Sequence, residues 1–253
     1  MCAAEMYQDP YETFAERYEL FYEKFDEPDG ERIQFFQELF EQFGVRHVLD
    51  CACGTGNDLY WLHEAGKSVV GADVSRPMLQ RAGRNLDAYG IHIPLVRADF
   101  RASPFRPGSF DAVLCLTTSL PHLADRDEVR AALRNMHGLL REGGVLVLSQ
   151  GMTDKMLRDR PRFIPEINRT DMSRVFVIDY ADETVVIHVL DLVHEPGNQE
   201  FFVDSFEYIV LLPVDYTGLL SDAGFSDVNC FSGFSTDPYD PECSNRLVVV
   251  GRK

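Results

Sequence analysis

The chain has 253 residues, 45% of them hydrophobic, and a formal net charge of −17. That length suits one α/β domain with a lid better than two separate domains. The acidic balance excludes a binder of nucleic-acid backbone, which needs a basic face; a solvated acidic surface is the plain reading of the charge.

Six cysteines (Cys2, Cys51, Cys53, Cys115, Cys230, Cys243) show no Cys-x-x-Cys spacing, so neither a zinc site nor a disulfide framework is indicated. No signal-like segment or apolar run of about 20 residues occurs. The expectation is a cytoplasmic protein with no metal and no membrane partner. A homo-oligomer is left open.

Phe14, Tyr18, Phe21, Tyr22 and Phe25 recur at helical spacing and predict one helix. After Pro28-Asp29-Gly30, a second follows on Ile33, Phe36, Leu39, Phe40 and Phe43, stopped by Gly44. Aromatic stripes of this kind are more often core than ligand contact.

Val48-Leu49-Asp50 then runs into the turn Cys51-Ala52-Cys53-Gly54-Thr55-Gly56-Asn57, a helix over 57–66, and an apolar run ending at Asp73. This is a βαβ unit with a nucleoside site at the carboxyl ends of its strands. Gly54 and Gly56 let backbone approach a ligand closely, and Asp73 is placed to accept from both ribose hydroxyls. Dinucleotide sites want a third glycine, where this chain has Leu59, and Asp58 in the first helical turn would repel a diphosphate. S-adenosylmethionine carries no phosphate and meets neither objection. A structural glycine turn without any nucleoside is the bland alternative.

A helix over 75–88 capped by Ser75 follows, then strands 91–98 and 110–116, a helix 125–140, and a strand 143–149 fed by a tight turn at Gly143-Gly144. Helix 214–223 and strands 225–231 and 246–251 complete a doubly wound, mostly parallel, seven-stranded Rossmann-like α/β sheet. Residues 150–212 break the alternation. Arg174–Tyr180 and Thr184–Leu192 flank Ala-Asp-Glu as a hairpin, and Glu200–Leu212 adds a strand, together an inserted antiparallel β lid. The chain thus divides into N-terminal covering helices (1–44), a core (45–149), a lid (150–212) and a C-terminal completion of the sheet (213–253).

At Leu49–Gly56 and Asp73 the chain resembles class I S-adenosylmethionine-dependent methyltransferases, and later segments are similar to the small-molecule N-methyltransferases related to glycine N-methyltransferase. The resemblance is specific over about residues 45 to 150 and looser outside. It implies S-adenosylmethionine as cofactor, held by Asp50, Ala52, Gly54, Thr55, Gly56, Asp73 and Val74. Met78 would pack on adenine, Asp99 would receive its amine, and the Phe100 amide would serve the ring. Asp99 as a simple strand-ending turn residue is the alternative. N-terminal helices cover the cofactor in such enzymes, with Tyr18 at a lid position and Arg32 where an arginine meets the methionine carboxylate.

Leu116-Thr117-Thr118-Ser119-Leu120-Pro121-His122-Leu123 resembles the family segment Leu-Gly-Asn-Ser-Phe-x-His-Leu. That places Leu116 and Ser119 by the methionyl part and Thr118 facing substrate. His122 and Tyr18 are the catalytic candidates, although the histidine is mainly scaffold in relatives. The Asn/Asp-Pro-Pro-aromatic motif of nucleobase methyltransferases is absent.

The chain departs from the family at Ser149-Gln150-Gly151-Met152-Thr153-Asp154, where glycine and sarcosine methyltransferases read Asp-x-Arg-Asn-Tyr-Asp. Gly151 replaces the arginine that clamps the substrate carboxylate, and free glycine becomes a poor substrate unless Arg169 or Arg174 substitutes. Either is more often a surface charge. Tyr18, Tyr180 and Tyr208 could surround an amine or cationic acceptor. The reading is a methyltransferase acting on a small molecule, first at an amine nitrogen. An O- or S-methyltransferase, or an inactive cofactor-binding regulator on the same fold, are the alternatives. A nicotinamide oxidoreductase is opposed by Leu59 and Asp58.

Overall fold

The computed structural model describes residues 9, 11–21, 25–26, 29–195 and 197–253. Cys2, Tyr22 and Pro28 of the sequence reading lie outside them.

Strands β1 (His47–Asp50), β2 (Ser68–Asp73), β3 (Leu95–Arg97), β4 (Phe110–Cys115) and β5 (Leu140–Gln150) carry near-continuous apolar runs. Runs of that kind bury both faces of a parallel sheet. β1 to β5 pair in parallel. β10 (Ser226–Ser232) and β11 (Leu247–Arg252) close the other edge antiparallel, in the order β10-β11-β5-β4-β1-β2-β3. Helices α2 (Gly30–Gln42), α3 (Asn57–Glu64) and α4 (Arg76–Ala88) contribute to one apolar layer with Phe36, Leu59 and Leu86. Helices α5 (Arg126–Leu139) and α7 (Pro213–Asp222) contribute Leu133 and Leu220 to the other.

Two sheet details differ from the sequence expectation. β3 is only Leu95–Arg97, because Pro94 has no amide to donate to the ladder. β5 runs straight through the glycines as a bulge rather than starting after a tight turn: its partners on β4 shift between Phe110 and Ala112. Gly144 is required there, since a Cβ would sit 2.9 Å from the carbonyls of Arg141 and Asp111.

The second sheet is antiparallel, in the order β6-β7-β8-β9. Its strands are β6 (Phe163–Asn168), β7 (Met172–Tyr180), β8 (Thr184–Glu195) and β9 (Asn198–Ile209). β6 and the short helix α6 (Asp154–Asp159) were not expected from sequence. The expected N-terminal helix is short: α1 covers Ala15–Tyr18 and gives way to a 3₁₀ turn at Glu19–Phe21.

This N-terminal segment bridges the two sheets. Glu16 and Glu19 pair with Arg81 and Arg84 on α4, and Arg17 pairs with Asp191 and Asp204 on the lid. Opposite charges on opposite sides hold the segment between core and lid.

Candidate cofactor and acceptor site

The glycine turn between β1 and α3 is built from backbone that only glycine adopts easily. Gly54 has φ 52° and Gly56 has φ 88°. A Cβ on Gly56 would meet that of Ala82 on α4 at 3.1 Å, so α4 packs directly on the turn. Asp73, at the end of β2, ties the turn down. Its two carboxylate oxygens accept from the Gly54 amide and the Ser75 amide, each at 2.9 Å. Burial raises the Asp73 pKa to about 6, against the pull of those amides. Asp50 is buried, accepts from the Ala52 amide at 3.2 Å, and is pushed well up by burial and then by the charge of Asp58.

Asp58 corrects an expectation. Its carboxylate faces no ligand as a free charge: Arg32 Nη2 donates to Oδ2 at 2.6 Å, and Trp61 Nε1 donates to Oδ1 at 2.9 Å. The electrostatic case against a diphosphate therefore weakens. The steric case stands, because Leu59 is fully buried against Gly71, where a Cβ would lie 2.6 Å from its Cδ1. Arg32 Nε and Thr55 Oγ1 are buried without a partner among the described residues.

Around this cradle, Ser75 caps α4 by accepting from the Met78 amide, and Met78 is buried. Val74 is exposed, and its carbonyl accepts from Arg97 Nε. The Asp99 carboxylate is gripped by Arg101, which holds its pKa below the usual range. Phe100 packs its ring on the core beside α5, while its carbonyl accepts from Asn135.

After β4 the chain makes two consecutive left-handed residues, Thr117 (φ 56°) and Thr118 (φ 66°). β-branched residues rarely adopt this conformation. The site tethers them: the Thr117 amide donates to Ser149 Oγ, the Thr118 amide to the Ser149 carbonyl, and Thr118 Oγ1 accepts from the Gly151 amide. The Ser119 hydroxyl donates to the Leu116 carbonyl at 2.7 Å.

Aromatic side chains from three elements converge beyond that turn. Tyr18 lies over the glycine turn, 3.8 Å from where a Gly54 Cβ would stand. His122 packs on Tyr208 of β9 with ring centroids 4.4 Å apart and planes tilted by 52°, and its Nε2 lies 2.9 Å from the Tyr11 hydroxyl. Phe206 stacks on Tyr11 at 5.1 Å. Burial lowers the His122 pKa to about 4, which leaves the ring neutral and weakly basic. Burial pushes the Tyr208 phenol up.

The remaining lid candidates have partners of their own. Arg169 is exposed on the β6–β7 connection and forks onto Asp171. Tyr180 donates its hydroxyl to the Pro161 carbonyl. Arg174 is no surface charge: it is fully buried, with Nε and Nη2 on Asp191 at 2.7 and 2.8 Å. Its Nη2 also donates to the Arg17 carbonyl, and it lies under the rings of Phe21 and Phe14. Its Nη1 is buried without a partner among the described residues. Gly151 has nothing within 4 Å of its Cβ position.

Residues 48–144 match a family model described as a methyltransferase domain. A glycine/sarcosine N-methyltransferase from Aphanothece halophytica is 32% identical over 224 residues, covering 87% of this chain and 81% of that protein. The chain belongs to the S-adenosylmethionine-dependent methyltransferases and is similar to the glycine/sarcosine enzymes among them. A glycine/sarcosine N-methyltransferase from Parasynechococcus marenigrum is 36% identical over 153 residues, and there the chain spans only about half the relative, 54% of its length. An S-adenosylmethionine-dependent methyltransferase from Clostridium acetobutylicum shares the fold, with a TM-score of 0.82 over 96% of this chain and 99% of that one, at 18% identity. Among the described residues of this methyltransferase, no group of His, Cys, Asp or Glu could hold a metal, and no helix is long and apolar enough to cross a membrane.

Proposed function

We propose that this methyltransferase transfers the methyl group of S-adenosylmethionine to the amine nitrogen of a small molecule that brings no free carboxylate to the lid. One observation carries the acceptor class. Gly151 stands where the resemblance to glycine and sarcosine methyltransferases implies a clamping arginine, and both arginines able to substitute, Arg169 and Arg174, are already forked onto their own carboxylates. A carboxylate entering there would lose water without gaining a free cation, a penalty of several kcal/mol.

The cofactor fits the cradle. Asp73, Gly54 and Gly56 would hold the ribose side. Arg32 Nε and Thr55 Oγ1 are the buried polar atoms left open for the methionyl end. Asp50 and Ala52 sit at the turn, Leu116 and Ser119 at the facing strand end, and Met78, Val74, Asp99 and Phe100 on the adenine side. Bound there, S-adenosylmethionine supplies a methyl on a positive sulfonium, open to attack by an amine lone pair. Alignment and exclusion of water are then the protein's work. Tyr18 closes over the turn, and Tyr11, Phe206 and Tyr208 present ring faces that favour a developing ammonium. His122 acts as a positioning residue that fixes Tyr11. Thr118 faces the acceptor side.

Nucleic acid and membrane are not partners in this reading, given the charge of −17. The free thiols of Cys51 and Cys115, in hydrogen-bonding contact, suit a reducing compartment such as the cytoplasm.

The test is Gly151→Arg, which restores the clamp in open space. Methylation of glycine, measured as demethylated cofactor formed, should be weak in the parent and rise at least tenfold in the variant. Brisk glycine turnover by the parent, unchanged in the variant, would overturn the proposal.

A further inference from the structure

An antiparallel sheet with one face on a core ordinarily turns polar side chains to water on the other. The lid does not. On its inner face Arg174, Ile178, Val185, Val189 and Phe206 are buried. On its outer face the register lines up Pro165, Val175, Leu190 and Val203 across all four strands, an apolar row with no polar break. The neighbouring rows add Phe163 and Val177, beside His188 and Ser205, and Leu192 and Phe201, beside Ser173 and Asn168; charge enters one row further out, at Asp179 and Glu207. Phe163 is 65% exposed, Phe201 60% and Val203 51%. Patches of this kind on a protein surface mark an interface.

We propose that the outer face of the lid is the interface of a homodimer, in which two lids pack face to face about a two-fold axis. Three arguments select a second copy. First, the size is right. β8 and β9 have 12 residues each, β7 has 9 and β6 has 6, so at about 3.4 Å per residue and 4.8 Å per strand a copy offers up to about 640 Å². Specific interfaces begin at about 600 Å² per partner. Second, these three rows hold no Asp, Glu, Lys or Arg, whereas the chain carries −17 overall. Copies that repel elsewhere meet least repulsion there, and an anionic lipid surface is disfavoured by the same charge. Third, the geometry favours face over edge. Pro165 removes a ladder donor from the edge strand β6, which blunts strand addition. A sheet face apposed to its own copy is self-complementary, as a two-fold interface requires.

Sedimentation equilibrium at micromolar concentration decides it. The parent should run at twice the 28.8 kDa chain mass. Phe201→Lys combined with Val203→Lys should weaken self-association at least tenfold and give the single-chain mass. Circular dichroism and cofactor affinity should be unchanged, since neither side chain touches the site. A parent at single-chain mass would overturn the proposal, and so would a double variant that stays dimeric. A single-chain parent that co-sediments with neutral phosphatidylcholine vesicles would assign the face to lipid instead.

Discussion

Arg32 and Asp58 form a buried ion pair, Nη2 to Oδ2 at 2.6 Å, at the start of the helix that follows the glycine turn. Asp58 also accepts from Trp61, so the pair fixes a guanidinium whose Nε has no other partner among the described residues. Removing Asp58 leaves a cation 9% exposed without its counter-charge, at a cost of about 3–5 kcal/mol. Asp58→Ala should therefore unfold at clearly lower urea, and cofactor affinity should fall with it. Trp61 is the one tryptophan of the chain, so its fluorescence reports the loss directly. Identical urea midpoints and spectra would show that the pair does not hold Arg32.

Asp73 gives the site a pH dependence. Its folded pKa of about 6 lies above the ordinary 3.8, so the folded protein binds the proton more tightly than the unfolded chain. Stability from this group is full below pH 4 and falls by about 3 kcal/mol as pH rises through 6. Ribose hydroxyls donating to the carboxylate favour its ionised form and reverse that trend on binding. Calorimetry of S-adenosylhomocysteine at pH 5.5, in buffers of different ionisation heat, should show proton release. At pH 8 it should show none, and Asp73→Asn should abolish the effect.

Thr117 adopts φ 56° with a β-branched side chain, a conformation costing about 1–2 kcal/mol relative to glycine. Its amide, not its hydroxyl, makes the bond to Ser149. Thr117→Gly should relieve the strain and, net of the entropy that glycine adds to the unfolded chain, raise the melting temperature by about 2–4 °C. A lower melting temperature would mean the side chain stabilises this turn.

Arg174 and Asp191 face each other in the β7–β8 register, both fully buried. Arg174→Leu alone leaves Asp191 uncompensated apart from Arg17, a loss of about 3–5 kcal/mol. Pairing it with Asp191→Leu should recover most of that loss. Arg169→Ala, at an exposed pair, should shift stability by less than about 1 kcal/mol. Chemical denaturation of the four proteins checks the ranking.

The glycine turn was legible because its constraints are local. Gly54 and Gly56 lie within one βαβ unit, and their positive φ follows from residue type. The environment of Arg174 was legible in principle: a hairpin about Ala181–Glu183 pairs Tyr180 with Val185 and so sets Arg174 opposite Asp191. The general exposure of arginine concealed it. Tyr11 and Arg17 carried no signal, because their partners His122, Asp191 and Asp204 lie more than a hundred residues away. α6 is too short for periodicity, and Pro165 disguised β6 as a loop. The N-terminal stripe suggested a long helix, yet Phe14, Tyr18 and Phe21 pack toward the lid, and among the described residues of the stripe α-helix is confined to Ala15–Tyr18.

The central claim is amine methylation without a carboxylate clamp, and an acceptor panel tests it most directly. Labelled S-adenosylmethionine would be offered with glycine, sarcosine, and uncharged or cationic amines lacking a carboxylate, and the labelled products measured by mass spectrometry. The account predicts that a carboxylate-free amine is N-methylated with kcat/KM at least tenfold above that for glycine. Glycine or sarcosine as the best acceptor, or label found only on oxygen or sulfur, would contradict it.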